Sequence, residues 1–183
     1  TTSNNRLPRY GFKKGNYIVD ILHLSKFFEE KNKNERFINL PSSLKSCLKN
    51  WKENFEKFKE LDKALINENI DSTTKEGSRI AQLESELNFL APIPNPQSFR
   101  DFYAFEQHVR SARKLRGLDM HPDWFKIPIF YFSNAAAIYG HGATIPYPFG
   151  TKELDFELEF AVIIANGGSN INHKDANNFI AGY

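Results

Sequence analysis

Lys152-Glu153-Leu154-Asp155-Phe156-Glu157-Leu158-Glu159-Phe160-Ala161-Val162-Ile163-Ile164 sets acidic residues against apolar ones, then runs on without a polar break. A period of two is the signature of a strand. Asp155, Glu157 and Glu159 then share one face, and Leu154, Phe156, Leu158 and Phe160 share the other. The Glu157 and Glu159 Cβ atoms would stand about 7 Å apart. Like charges that close to a buried strand are costly unless something neutralises them. A divalent cation with oxygen ligands meets that need. A solvated edge, with its carboxylates in water, meets it too. The alternation fixes the register and leaves the ligand open.

The composition narrows the setting. A chain of 183 residues with 40% hydrophobic content can bury one core, or one core plus an appendage. A net charge of +2 gives no reason to expect nucleic acid or an anionic membrane as partner. Cys47 is the single cysteine, so no internal disulfide forms and a reducing, cytoplasmic location is expected. The apolar run Phe160 to Ala165 is far too short to span a bilayer. Thr1-Thr2-Ser3-Asn4-Asn5-Arg6 has no apolar core of a signal peptide.

Upstream of the acidic stretch, Tyr10-Gly11-Phe12, the turn Lys14-Gly15-Asn16 and Tyr17 to Ile21 predict a hairpin. Residues 41–70 predict one long helix, opened by Pro41 and Ser42. Its stripe is Leu44, Leu48, Trp51, Phe55, Phe58, Leu61 and Leu65. Asp71 to Ser78 reads as a polar loop, and Ile80 to Leu90 as a helical turn or a strand. The three prolines of Ala91-Pro92-Ile93-Pro94-Asn95-Pro96 exclude helix and mark the break between a domain at 1–90 and another at 91–183. Beyond it, Ser98 is expected to cap a helix from Phe99 to Arg116, stopped by Gly117. Ile127 to Phe132 reads as a strand, Gly140-His141-Gly142 as a turn, and Thr144 to Pro148 as an edge-like extended segment. Asn166-Gly167-Gly168 is a turn, and His173 to Ile180 a helix start. A strand-rich half that has only begun would leave edges unpaired, so the chain is expected to be part of a longer protein.

On the predicted helix, Asp101 and His108 lie seven residues apart and share a face, about 10 Å apart along the axis. Asp101 there is either a ligand or a first-turn acid complementing the helix dipole. His108 is either a base or a hydrogen-bonded packing residue.

Taken in order, Asp101-Phe102-Tyr103 with His108 following, then Pro128 and Tyr131, then Leu154-Asp155-Phe156-Glu157-Leu158-Glu159 resembles the fumarylacetoacetate hydrolase family. The resemblance covers residues 91–183 and reaches 1–90 only through the Tyr10 to Ile21 hairpin. It implies an α+β fold: the first half of a catalytic domain built on a mixed β-sheet or β-roll, after a small α+β N-terminal domain. It implies that Asp101, Glu157 and Glu159 bind Mg²⁺, or alternatively Ca²⁺ or Mn²⁺, and that His108 is the general base. Tyr103 and Tyr131 would contact substrate, and Arg116 or its neighbour Arg113 would grip a carboxylate. A further metal-binding Asp of the family, in an Asn-Asp-x-Ser-Ala-Arg-Asp motif, would fall after Tyr183, so these residues alone are expected to lack full metal affinity and activity. The implied reaction is hydrolysis of a carbon–carbon bond in a dioxo acid such as fumarylacetoacetate or an acylpyruvate, by a homodimer. Decarboxylation, hydration or isomerisation of a 2-oxo acid is the alternative on the same fold. A non-catalytic scaffold docking through the Leu44 to Leu65 helix is the alternative of a different class. His23, His121, His141 and His173 have no metal-ligand spacing and read as surface or packing residues.

Overall fold

A computed structural model describes residues 7–32 and 39–183, so the N-terminal hexapeptide read for targeting signals lies outside the described residues. The fold is α+β, with helices and, among the described residues, three small antiparallel sheets. Two compact units are present, one of residues 1–93 with 140–183 and the other of residues 94–139.

In the first unit, β1 (Gly11–Lys14) and β2 (Tyr17–Asp20) form the expected hairpin. Gly15 at its tip adopts φ 59°, the left-handed conformation that tight hairpin turns require. β2 also pairs with β3 (Ala81–Leu83), so the order is β1-β2-β3. Ile21 opens a helix, α1 (Ile21–Asn32), rather than closing the strand. The Asp20 carboxylate decides this. Its Oδ1 accepts from the Leu22 and His23 amides, both at 3.1 Å, which is the geometry of an N-cap. Arg9 Nε reaches the other oxygen at 2.7 Å.

The predicted 41–70 helix is broken in two. α2 (Leu44–Cys47) is capped by Ser43 Oγ, and a 3₁₀ turn over Leu48–Asn50 leads into α3 (Trp51–Leu65). The buried stripe is also shifted. Cys47, Asn54, Phe58, Leu61 and Leu65 face inward, whereas Phe55 is 44% exposed. Asn54 belongs inside because its Nδ2 donates to the Cys47 carbonyl at 3.0 Å, a group freed where the helix breaks. These residues meet Val19, Ile21, Leu24, Phe28, Ile80 and Ala81 in one core. Cys47 Sγ–H donates to the Tyr10 hydroxyl at 3.3 Å, and that hydroxyl donates to the Pro41 carbonyl at 2.6 Å. Burial pushes both the Cys47 thiol and the Tyr10 phenol up, so both stay protonated.

The polar 71–78 segment is a hydrogen-bonded turn rather than an open loop. Thr74 is buried and its backbone and hydroxyl close onto Gly77 and Ser78. Of the residues from Ile80 to Leu90, Ala81–Leu83 is the strand β3 and Glu84–Glu86 a 3₁₀ turn.

The acidic stretch departs most from expectation. Residues 153–160 form no strand, and only Ile163–Ile164, β6, is paired, with β7 (Ile180–Gly182). The expected helix start at His173 is a 3₁₀ turn, His173–Phe179, that feeds β7. A period of two makes a strand only where a neighbour supplies the ladder hydrogen bonds. Among the described residues, no strand pairs with 153–160.

We expect Asp20→Ala to lose about 1–2 kcal/mol through the missing cap. Leu61→Ala, at a fully buried position, should lose about 2–5 kcal/mol. Urea unfolding monitored by circular dichroism measures both. An Asp20→Ala variant as stable as the parent would remove the cap as the reason α1 starts where it does.

Candidate functional site

The second unit contains β4 (Arg100–Phe102), α4 (Glu106–Leu115), a 3₁₀ turn (Pro122–Phe125) and β5 (Phe130–Phe132). The helix expected from Phe99 to Arg116 therefore begins only at Glu106. Asp101 lies on a strand, and the shared helical face of Asp101 and His108 does not exist. Ser98 accepts from Arg100 Nη1 at 2.8 Å instead of capping the helix. The predicted stop holds. Gly117 at φ 69° lets the Leu118 amide reach the Arg113 carbonyl at 3.0 Å and the Gly117 amide the Lys114 carbonyl at 2.9 Å.

The strands bring together a different set of the predicted site residues, Asp101, Tyr103 and Tyr131. β4 and β5 are antiparallel, with Asp101 opposite Tyr131. The ladder gains a further rung where the Tyr103 amide donates to the Ile129 carbonyl at 3.0 Å. Strand alternation then gives Asp101, Tyr103 and Tyr131 one face. The other face is aromatic. Phe102 and Phe130 pack at 5.1 Å with their rings tilted by 42°, Phe130 and Phe132 meet edge-on at 5.3 Å, and the Arg100 guanidinium covers the Phe130 and Phe132 rings.

The Tyr103 and His108 rings meet at 5.7 Å and 86°. His108 is in the first turn of α4, exposed, on a helix anchored by buried Val109. Asp101 and Tyr103 are half-buried, and Tyr131 is exposed. Arg116 folds back on its own helix, its Nε donating to the Ala112 carbonyl at 3.1 Å, while Arg113 donates to the Asp119 carbonyl. Both guanidinium groups serve the end of α4 in this structure.

Trp124 has no role in the sequence reading. Trp124 Nε1–H donates to the Tyr103 carbonyl at 2.8 Å. The available signal was chemical: an indole that is not fully exposed usually finds an acceptor for its N–H. An open groove of about 340 Å³ runs past Tyr103 and Trp124, with Phe102, Phe125 and Ile129 in its wall and Lys126 at its edge.

Glu157 and Glu159 belong to the first unit and are exposed, as are Leu154, Phe156, Leu158 and Phe160 on the alternate positions. Three carboxylates are the donor set a hard divalent cation prefers. Among the described residues, no group of three His, Cys, Asp or Glu side chains forms a cation site. The donor chemistry fits the expected metal, with Asp101 in the second unit and Glu157 and Glu159 in the first. His23 and His121 are engaged with their surroundings, His23 between Arg9 and the Arg79 carbonyl and His121 by the Asp123 amide. His141 packs against Phe89. Among the described residues, no helix is long and apolar enough to cross a membrane.

Comparisons with known proteins bear on the same segment. Residues 97–183 match the family model for the fumarylacetoacetate (FAA) hydrolase C-terminal domain. A fumarylacetoacetase of Oryza sativa subsp. japonica is 30% identical over 118 residues, covering 54% of this chain and 27% of the relative. One of Arabidopsis thaliana is 32% identical over 97 residues, covering 44% of this chain and 23% of the relative. The mitochondrial oxaloacetate tautomerase fahd2 of Xenopus laevis is 29% identical over 106 residues, covering 54% of this chain and 29% of the relative. The chain thus spans less than a third of the length of each of these relatives.

Because Leu158 and Phe160 are 91% and 82% exposed, we expect Leu158→Ser and Phe160→Ser to change the stability of this chain by less than about 0.5 kcal/mol. Thermal or urea unfolding measures it. A loss of 2 kcal/mol or so, as for buried positions, would mean that the stretch is packed.

Proposed function

We propose that the chain, whose residues 97–183 match the fumarylacetoacetate hydrolase family model, is part of a metal-dependent hydrolase of that family cleaving a carbon–carbon bond in a dioxo acid. The observation that carries this reading is the family match over a segment holding Asp101, Tyr103, His108, Tyr131, Glu157 and Glu159 together. The fumarylacetoacetase relatives at 30% and 32% identity support the substrate class. The division of the chain at residues 90 and 91, a homodimeric assembly and a cytoplasmic location belong to the same proposal.

His108 is the general base in this reading. Its imidazole removes a proton from the water that attacks the substrate carbonyl, and can return that proton to the departing carbon. The Tyr103 ring against it limits how the imidazole can turn. Tyr103 and Tyr131 offer hydroxyl donors to substrate oxygens. Arg116 is the proposed partner of a substrate carboxylate, and to act it must leave the Ala112 carbonyl it now binds. Asp101, Glu157 and Glu159 are the proposed holders of Mg²⁺, or alternatively Ca²⁺ or Mn²⁺. Such an ion, when bound, supplies Lewis-acid polarisation of the carbonyl and of the enolate that leaves.

The tautomerase relative, at an identity similar to the hydrolases, favours a second reading, enolisation of a 2-oxo acid without bond cleavage. The proton work asked of His108 is similar in both.

Turnover assays of the full-length protein on fumarylacetoacetate, an acylpyruvate and oxaloacetate separate the readings. We expect cleavage of a dioxo acid, lowered on the order of a hundredfold or more in His108→Ala. Enol–keto interconversion of oxaloacetate alone would establish the second reading, and no turnover of any of the three would end both. Calorimetric titration of the full-length protein with Mg²⁺ or Mn²⁺ tests the cofactor. Binding in the parent that is lost in Glu157→Gln is the expected outcome, whereas no binding in the parent would favour the scaffold.

A further inference from the structure

We propose that Trp124 is a positioning residue for His108, acting through the backbone of Tyr103; the catalytic sense of this rests on the reading of His108 as the base. Tyr103 is where the chain leaves the sheet for the helix. Its amide makes the last rung of the ladder, on the Ile129 carbonyl at 3.0 Å. One residue later the Ala104 amide turns back to the Phe102 carbonyl at 2.9 Å, a three-residue turn that bends the strand toward α4. The peptide group that follows Tyr103 stands at that bend, and a peptide group at a bend is fixed only as far as its hydrogen bonds fix it. The Trp124 indole supplies the bond, Nε1–H to the Tyr103 carbonyl at 2.8 Å. With amide and carbonyl both held, the Tyr103 side chain leaves the backbone in a set direction, edge-to-face with the His108 ring at 5.7 Å and 86°.

The circuit closes through the other end of the indole. The Trp124 amide binds the His121 carbonyl at 3.0 Å, and the Trp124 ring meets Phe125 edge-on at 5.0 Å. Phe125 lies under the Arg110 guanidinium at 5.9 Å, and Arg110 pairs with Glu106. Arg110 and Glu106 are on α4, on either side of His108 in sequence. The 3₁₀ turn is thus tied both to the helix that bears His108 and to the strand end that bears Tyr103. Trp124 acts on the spacing of the two rings through the Tyr103 carbonyl.

The test separates the N–H from the bulk of the ring. Trp124→Phe keeps an aromatic ring and removes the donor. In the full chain, the His108 ring protons should show shifts displaced by the Tyr103 ring current, and Trp124→Phe should return them toward random-coil values. Trp51→Phe, a comparable loss against Phe55 and Phe58 in the other unit, should leave them in place. A folded Trp124→Phe protein with unchanged His108 signals overturns the proposal. So does an equal change in Trp51→Phe, which would reflect general loosening. Should Trp124→Phe not fold, the parent decides: slow exchange of the Trp124 indole proton with Tyr103–His108 ring contacts supports the clamp, and rapid exchange overturns it. In an active protein, kcat should fall about three- to tenfold with KM held within about twofold, as for a misplaced catalytic group. The clamp is judged on the His108 signals whichever way turnover falls, so an inactive protein would count against the proposed reaction and not against the clamp.

Discussion

The ladder between β4 and β5 has three paired positions and is extended at both ends, by the Tyr103 amide on the Ile129 carbonyl and the Ser133 amide on the Phe99 carbonyl, and the arrangement of Asp101, Tyr131 and Tyr103 depends on it. A two-stranded ladder this short is marginal by its backbone bonds alone. Its aromatic face supplies the rest. Phe102, Phe130 and Phe132 form cross-strand and same-strand ring pairs, each worth about 0.5–1.5 kcal/mol beyond its buried area. Arg100 adds cation–π contacts to two of the rings. A one-residue slip of β5 would put Tyr131 on the side of Phe102 and the Phe130 and Phe132 rings on the side of Asp101, mixing the two faces. The apolar face therefore holds the polar face in register, although it carries none of the proposed chemistry.

The elements legible in the sequence were those whose cause is local. The β1–β2 hairpin could be read because Gly15 sits where the turn needs it, between two alternating runs. The end of α4 could be read because Gly117 can adopt the closing conformation. Elements that depend on a distant partner were misread. Phe99 to Tyr103 looks helical when joined to the pattern that follows, and is strand because Phe130 to Phe132 lies beside it. α1 was hidden because Ile21 and Leu22 continue the apolar run of β2. What ends that strand is a cap donated by Asp20, which looked like one more polar residue in the alternation. Asn54 shows the same limit. Its side chain is inside because of a broken helix elsewhere in the turn.

For the candidate site, the residue types were legible and the scaffold was not. Asp101 and His108 were placed together by an assumed helix, whereas Asp101 faces Tyr131 across a ladder and His108 faces Tyr103 across a bend. Trp124 had no visible task until its acceptor was seen. The relatives that resemble this chain carry the names of different reactions, fumarylacetoacetase and oxaloacetate tautomerase, as expected when function lies in a site rather than in a fold.

The exposed stretch at 153–160 has a consequence for solubility. It runs directly into Phe160 to Ala165, a short uncharged window rich in strand-forming residues and without proline. Windows of that kind, when uncovered, template the stacking of identical chains. Glu153, Asp155, Glu157 and Glu159 stand immediately before it on alternate positions. Stacked in register, a second copy would bring each carboxylate against its own counterpart. The acidic row, two of whose members, Glu157 and Glu159, are proposed to hold a cation, can thus also act as a gatekeeper that keeps like strands apart.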